Sequence, residues 1–244
     1  MSGRLPGKPR VRIVGVGPGS KQYLTKAGED AIRSSTAVLG WELDLHPAKQ
    51  LLHDKIVYTQ TVDNFKEVAK QAARETLRKG LDIAILRIGD PCVSSGLAGL
   101  IDTFSDFQIE VIPGISSVQI AAALSRISID DSAIVSFHEY GDPEAKKKFM
   151  LGAFRAGRHL IILPSPDMRP KDAARHLIES GAPRSVEAYV YSNLTLPDES
   201  NFRGPLKDIV GKDFHWLSIA VFPNPSITSA EEAEKIWEKW RASH

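Results

Sequence analysis

Short apolar runs alternate with longer amphipathic stretches along the first half of the chain. The β-branched run at residues 11–16 predicts a buried strand, and residues 24–34 can form a helix. Apolar residues recur at helical spacing over 62–77, and dense apolar runs at 82–87 and 108–112 predict further strands. Because strands and helices alternate in this way, we predict an α/β fold with a mostly parallel sheet covered by helices.

Three of the predicted strands end in loops rich in glycine and proline. They are the first loop (residues 15–20, Gly-Val-Gly-Pro-Gly-Ser), the second loop (88–96, which contains Gly-Asp-Pro) and the third loop (113–117, Pro-Gly-Ile-Ser-Ser). Parallel strands place such loops at one edge of the sheet, where α/β proteins bind ligands. One such loop alone is more often a plain turn or helix cap, but three at one edge predict a ligand site.

The first loop only partly matches a dinucleotide-binding fingerprint. Gly15 and Gly17 occupy its first and third positions, but Ser20 occupies the sixth and Pro18 removes a backbone donor. The sequence also contains no G-x-x-x-x-G-K-[ST] motif and no G-x-S-x-G elbow. We therefore discount a Rossmann oxidoreductase and look for another ligand.

The second half of the chain repeats the alternation after residues 127–132, where the periodicity lapses. Strands are predicted at 133–137, 159–163, 186–191 and 217–222, and helices at 144–155, 170–180 and 227–240. We expect three parts in sequence order: a disordered N-terminal arm over 1–10, an N-terminal α/β domain over 11–127 and a C-terminal α/β domain over 128–244.

Composition and charge narrow the functional classes. The net charge of +1 argues against a nucleic-acid binder that works through a broad basic surface. The single cysteine, Cys92, excludes an internal disulfide framework, and the seven histidines show no metal-ligand spacing, so no metal site is predicted. No apolar run approaches the roughly 20 residues of a membrane span, and no secretory segment is recognisable. We expect a cytoplasmic protein.

The loop sequences resemble those of one family. Residues 14–25, Val-Gly-Val-Gly-Pro-Gly-x-x-x-x-Leu-Thr, are similar to the first signature of the tetrapyrrole methylases, which use S-adenosylmethionine. The Gly-Asp-Pro of the second loop resembles their second signature, and the third loop resembles their third, in the same order. Residues 111–123, 135–138 and 193–199 are similar to one branch, the cobalt-precorrin-7 C(5)-methyltransferases of cobalamin biosynthesis.

The resemblance implies two α/β domains of the tetrapyrrole methylase type with the active-site cleft between them. It implies methylation of C-5 of cobalt-precorrin-7 to give cobalt-precorrin-8, with S-adenosyl-L-methionine as cofactor and S-adenosyl-L-homocysteine as product. Matching motif to motif gives these cofactor-binding residues: Pro18, Gly89, Asp90, Val93, Ser116, Ser117 and Leu163. It further implies a homodimer and a separate C(15)-methylating decarboxylase in the same pathway, because no such domain is recognisable here.

Three positions depart from the family pattern and leave the substrate branch open. Ser20 stands where many relatives carry Asp, and Arg87-Ile88 stand where small residues are common. The alternatives are another precorrin methylase of the same fold and a non-catalytic protein that binds an adenosyl ligand. A methylase of the diphthamide branch is disfavoured because the third loop lacks its Asn-Ala-Ser-Ile pattern.

Side chains for catalysis and substrate binding are less well defined. Asp90 and His138 are both candidates for a proton acceptor, and we assign no catalytic base. The substrate would be a small-molecule tetrapyrrole with several carboxylates, so positive charge is expected beside it. Candidate partners are Arg87, Arg126 and Arg203, whereas the lysines at 146–148 are read as a solvated helix face.

Overall fold

The computed structural model describes residues 8–93, 96–138, 141–226 and 238–243. By the contacts among its residues, the chain divides into two units. The first comprises Met1–Ile120 together with Asn193–Ser200, and the second comprises Ala121–Ser192 together with Asn201–His244.

The first unit is an α/β sheet whose strands all run parallel. Its strands are β1 (Arg10–Gly15), β2 (Ala37–Trp41), β3 (Ile56–Gln60), β4 (Ile83–Arg87) and β5 (Gln108–Ile112). Its helices are α1 (Lys26–Ser34), α2 (Glu42–Leu45), α3 (Phe65–Lys79), α4 (Leu97–Thr103) and the start of α5 (Ser117–Ser125), with 3-10 turns at Lys21–Tyr23 and His46–Leu51. Within the described residues the strand order is β3-β2-β4-β1-β5, with parallel pairing throughout, which confirms the predicted parallel sheet.

Apolar layers cover both faces of this sheet, because successive residues of a strand point to opposite sides. Val11 and Ile13 pack with α3 and α4, while Val14 and Val16 pack with α1 and the turn at 46–51. Strand β4 is buried along its whole length, as expected for a parallel strand covered on both faces. This double burial explains why the strands read as dense apolar runs.

The second unit contains a mixed sheet rather than a parallel one. Its strands are β6 (Ser132–Ser136), β7 (His159–Leu163), β8 (Glu187–Ser192), β9 (Ser200–Pro205) and β10 (Ser218–Phe222), and its helices are α6 (Pro143–Arg155), α7 (Pro170–Glu179) and α8 (Leu206–Ile209). In the described part of the chain the order is β6-β7-β10-β8-β9.

Strands β6 and β7 of this second sheet run parallel to each other. Those strands are joined by helix α6, whereas β10 lies antiparallel to both β7 and β8. The hydrophobic pattern within a strand indicates how far the strand is buried but not its direction. It therefore did not predict that β10 lies between β7 and β8 and runs antiparallel to both. Strand β9 was not predicted because most of its residues are exposed or half-buried.

The observed divisions of the chain also differ from the predicted ones. Strand β1 already includes Arg10, whose backbone N–H donates to Asp82 Oδ1 at 2.7 Å, so the predicted arm over 1–10 overlaps the sheet. The division between units falls after Ile120, within α5, rather than after residue 127. The segment 193–200 belongs to the first unit, although it was expected in the C-terminal domain.

Two of the predicted segments include residues that the structure does not describe. Residues 1–7 of the predicted arm and 227–237 of the predicted last helix lie outside the described residues. None of the helices in the described ranges has the length and apolar character needed to cross a membrane.

Candidate functional site

The three loops leave adjacent strands at the same edge of the first sheet. Strand β1 pairs with β4 on one side and β5 on the other, and Val14 lies opposite both Leu86 and Ile112. The strands are parallel, so the loops after β1, β4 and β5 start side by side. The predicted convergence of these loops is therefore confirmed.

Glycines allow the backbones of the three loops to touch. A Cβ atom added at Gly15 would lie 2.6 Å from Cα of Gly114 and 2.7 Å from the carbonyl oxygen of Gly89. A Cβ at Gly114 would collide with the same carbonyl oxygen and with the backbone of Gly15. Side chains at these positions would force the loops apart, so the glycines are required by backbone packing.

The first and second loops are also joined by hydrogen bonds. The N–H of Gly89 donates to the carbonyl of Gly17 at 2.8 Å, and the N–H of Gly17 donates back to Gly89 at 3.3 Å. Both residues have positive φ angles, 81° and 70°, which favour glycine. Pro18 follows Gly17 directly and is buried, so these hydrogen bonds hold the first loop immediately before its proline.

Asp90 connects the second loop to the third. Its Oδ1 accepts from the backbone N–H of Cys92 at 2.7 Å, and its Oδ2 accepts from the N–H of Gly114 at 2.9 Å. Val93 is half-buried, and its N–H donates to the carbonyl of Asp90 at 3.0 Å, which closes a turn. The carboxylate therefore fixes the relative position of two loops, although each oxygen keeps one further acceptor site.

The third loop ends in a capped helix. Ser116 is buried, and its Oγ accepts from the N–H of Val118 at 3.2 Å, while its own N–H donates to Oε1 of Gln119 at 2.6 Å. This reciprocal pattern is a capping box at the start of α5. Ser117 is the first residue of that helix and is half-buried.

Six of the seven predicted cofactor residues thus lie in the three loops of the first unit. Leu163 is the exception: it is buried at the end of β7 in the second unit, and its carbonyl accepts from the N–H of Phe137 at 2.9 Å. His138, the second candidate proton acceptor, is exposed just after β6 in the second unit. The role of Leu163 stays a prediction.

Arg87 is not available to a substrate, which corrects one expectation. Its side chain is buried, with 7% of the residue exposed, and Nη1 donates to Oδ2 of Asp44 at 3.2 Å and to Oε1 of Gln60 at 3.2 Å. Burial raises the pKa of Asp44 and lowers the pKa of Arg87, and their mutual attraction opposes both shifts. Oδ1 of Asp44 also accepts from the N–H of Ile88 at 2.7 Å. The pair therefore holds the start of the second loop.

The other two predicted arginines lie in the second unit. Arg126 is exposed and has a positive φ of 56° just after α5. Nε of Arg203 donates to Oε1 of Glu187 at 2.8 Å, and its guanidinium lies 5.6 Å from the ring centroid of Tyr189. Arg203 is therefore already engaged by an acid and an aromatic ring.

A pocket of about 430 Å³ opens beside the first loop. Three segments line it: the end of the first loop, the 3-10 turn at 46–51 and part of the segment 193–200. The lining residues are Gly19, Ser20, Lys21, His46, Pro47, Lys49, Gln50, Thr195, Leu196 and Pro197. Sequence reasoning missed this pocket; its one signal was the branch-like sequence at 193–199.

Comparison with known proteins identifies the family. A sequence model of the family described as Tetrapyrrole (Corrin/Porphyrin) Methylases matches residues 10–210. This chain belongs to the tetrapyrrole methylase family. The match covers all strands of the first sheet and strands β6 to β9 of the second.

Individual relatives agree with this assignment. The chain is 34% identical over 87% of its length to a "Probable cobalt-precorrin-7 C(5)-methyltransferase" of Methanocaldococcus jannaschii, covering 97% of that protein. It is 30% identical over 85% of its length to the cobalt-precorrin-7 C(5)-methyltransferase of Salmonella typhimurium, covering 90% of that protein. The crystal structure of the methyltransferase CobJ superposes with a TM-score of 0.74 at 17% identity, covering 91% of this chain and 97% of that one. That structural likeness confirms the fold.

Proposed function

We propose that this chain is an S-adenosylmethionine-dependent methyltransferase that methylates C-5 of cobalt-precorrin-7 and yields cobalt-precorrin-8 in cobalamin biosynthesis. The observation that carries the proposal is the near full-length similarity to two proteins of that name. The three signature loops, packed backbone to backbone at one sheet edge, support it independently.

The residues of the loops suit this cofactor chemically. S-adenosylmethionine carries a sulfonium and an ammonium group against one carboxylate, so its net charge is positive. Its proposed partners in the loops are Pro18, Gly89, Asp90, Val93, Ser116 and Ser117, with Leu163 as the partner from the second unit. This set contains one anion and no cation, while Pro18 and Val93 offer apolar surface and Ser117 a half-buried hydroxyl. Glycines in the loops let backbone groups approach a ligand closely.

When bound, the cofactor supplies a methyl group on a positively charged sulfur, which an electron-rich carbon can displace. The chain itself then has to supply position, and well-oriented reactants can lower a barrier by about 7–11 kcal/mol. The contacts among Gly15, Gly89 and Gly114 and the Asp90 bridge make the loops a rigid support. Asp90 is tied to two backbone N–H groups and His138 lies exposed in the second unit, and we assign no proton acceptor among the side chains.

Two measurements test the proposal. Calorimetry should detect binding of S-adenosylhomocysteine and no binding of NADH, and the reverse result would contradict the cofactor. Incubation with cobalt-precorrin-7 and methyl-labelled cofactor should then give a labelled tetrapyrrole. Label incorporated only into a different precorrin would favour another methylase of the family, and binding without any transfer would favour the non-catalytic alternative.

Asp90→Ala tests the loop site directly. The change removes the acceptor of two backbone N–H groups, and hydrogen bonds to a charged group contribute about 1.5–3 kcal/mol each. We expect S-adenosylhomocysteine to bind at least tenfold more weakly by calorimetry. Asp106→Ala, at an exposed position, is the matched control and should leave binding unchanged. Wild-type affinity in Asp90→Ala would remove Asp90 from the site.

Three finer statements remain predictions from the sequence. They are the homodimer, the cytoplasmic location and the separate C(15)-methylating decarboxylase that acts in the same pathway. Light scattering after size-exclusion chromatography tests the first, and a monomer at micromolar concentration would contradict it.

A further inference from the structure

The pocket beside the first loop carries positive charge. Lys21 and Lys49 are both exposed around it, and no acidic residue is among the described residues that line it. Neither lysine forms an ion pair with another residue of the described ranges. Both ammonium groups therefore remain available to an anionic ligand.

The walls of the pocket are partly apolar. Pro47 is buried, Leu196 is half-buried and Pro197 is exposed, while Ser20 and Gln50 add polar groups. A volume of about 430 Å³ falls within the range of small-molecule sites. The combination fits a ligand with an apolar body and acidic groups at its edge, rather than a bare inorganic anion.

The segment 193–200 is shaped to form one of these walls. Thr195 has a positive φ of 67°, which is strained for a β-branched residue, and its Oγ1 accepts from the N–H of Ser20 at 3.0 Å. Leu196 packs so closely on Gly19 that a Cβ there would lie 2.7 Å from its Cδ2. These two contacts hold the segment against the first loop.

The acidic residues of this segment bond within it. Oδ2 of Asp198 accepts from Nδ2 of Asn193 at 2.8 Å, and Oε2 of Glu199 accepts from the N–H of Thr195 at 2.6 Å. Neither is a lining residue of the pocket. Their hydrogen bonds help to hold Thr195 and Leu196 in place. Because neither acid lines the pocket, they leave the positive charge of the two lysines available there.

We propose that this pocket binds carboxylate side chains of the tetrapyrrole substrate, with Lys21 and Lys49 as their charged partners and Pro47 and Leu196 against the apolar edge of the macrocycle. The inference rests on the proposed function and assigns part of its substrate site. The pocket begins at Gly19, next to Pro18 of the cofactor loop. The two lysines of the pocket supply positive charge for the substrate carboxylates. Arg87 does not supply it, because its side chain is buried against Asp44.

Lysine-to-glutamine variants test the proposal without disturbing the core. Lys21→Gln, Lys49→Gln and the double variant remove charge at exposed positions, and Lys70→Gln is the matched control. Lys70 lies exposed on α3, which packs on the opposite face of the sheet from the turn at 46–51. Circular dichroism and thermal unfolding should show all four variants folded like the wild type.

The probes are two corrins that differ in their side chains. Dicyanocobyrinic acid carries free carboxylates, and dicyanocobinamide carries amides in their place; both can be titrated by absorbance at low ionic strength. We expect the wild type to bind the acid more tightly, and added salt to weaken that binding. The double variant should bind the acid about tenfold more weakly, since it loses two ion pairs with the carboxylates. The Lys70→Gln control should match the wild type.

Several results would overturn the proposal. They are wild-type affinity for the acid in the double variant, equal binding of acid and amide, and no binding of the acid by the wild type. Weaker binding of S-adenosylhomocysteine by the double variant would assign the pocket to the cofactor instead. The proposed function is tested separately by methyl transfer to cobalt-precorrin-7. If the protein is inactive but its binding of the acid depends on the lysines, the proposed function is refuted and the pocket is supported. If the protein is active but its binding of the acid does not depend on the lysines, the function is supported and the pocket is refuted.

Discussion

At the scale of single residues, the loop site depends on three positions that have no side chain. Gly15 and Gly114 bring backbones together where no Cβ fits, Gly89 adopts a positive φ of 70° that favours glycine, and Asp90 bridges two of the same loops. The geometry of the proposed cofactor site is therefore carried mainly by main-chain atoms. Its sensitivity to mutation should follow backbone sterics more than side-chain chemistry.

Gly114→Ala should destabilise the protein by about 1–3 kcal/mol, because the new methyl group overpacks the junction of the loops. Gly99→Ala is the matched control, since a Cβ at Gly99 on α4 meets no atom within 4 Å. It should stabilise the protein by about 0.5–1 kcal/mol through helix propensity. Urea unfolding of both variants measures the difference, and equal effects would contradict the packing argument.

Cys92 reports on the second loop. Partial burial of the sulfur and the nearby Asp90 carboxylate raise the pKa of this exposed thiol above its ordinary value. Only the thiolate is nucleophilic, so alkylation by iodoacetamide should stay slow at neutral pH and increase at a higher pH than for a free cysteine. The same protein unfolded in urea is the control, and an alkylation midpoint at or below that of the unfolded chain would refute the shift. Bound S-adenosylhomocysteine should slow the reaction further.

At the scale of elements, a buried ion pair joins α2 to β4, and a hydrogen bond of the same arginine reaches β3. Arg87 at the end of β4 donates to Asp44 of α2 and to Gln60 of β3, and Asp44 in turn accepts from Ile88 at the start of the second loop. The helix thereby positions the strand end from which the Gly-Asp-Pro turn departs. Arg87 thus acts on the site through Asp44 and the backbone.

Arg87→Met should destabilise the protein by about 3–5 kcal/mol, because it leaves the buried Asp44 carboxylate without its partner. Arg33→Met is the control: it breaks the exposed pair with Glu29 on α1 and should cost at most about 1 kcal/mol. Arg87→Met combined with Asp44→Asn should be more stable than Arg87→Met alone, since the uncompensated charge is gone. Chemical denaturation measures the free energy of unfolding of the three variants. An equal loss of stability in Arg87→Met and Arg33→Met would refute the argument from the buried ion pair.

At the scale of the whole molecule, much of the fold and part of the site could be predicted from the sequence. Strands β1, β4 and β5 of the first sheet were predicted from their apolar runs, which are densest in β1 and β4, the strands that are buried almost along their whole length. The three loops were found because glycine and proline punctuate them, and parallel pairing makes their convergence follow. The loop signatures also indicated the family, and the family model that matches residues 10–210 confirms it.

Other features depend on contacts between residues far apart in the chain. The antiparallel course of β10, the burial of Arg87 and the docking of Thr195 on Ser20 leave no local trace in hydrophobic periodicity. In the sequence, an arginine that pairs with a buried acid looks the same as an arginine that binds substrate. Only its surroundings in the folded protein distinguish the two. The pocket was missed for the same reason, because its three lining segments are distant in sequence.

The sequence by itself determined the parallel α/β sheet of the first unit, the place of its ligand edge and the family, because burial period, turn residues and signature loops are local properties. The tertiary structure decided which charges remain available: it placed Arg87 against Asp44 and left Lys21 and Lys49 exposed around a pocket. It also decided that the glycines serve contacts between loops. Those outcomes are set by packing across the fold, where long-range neighbours determine whether a charge is paired and whether a Cβ has room.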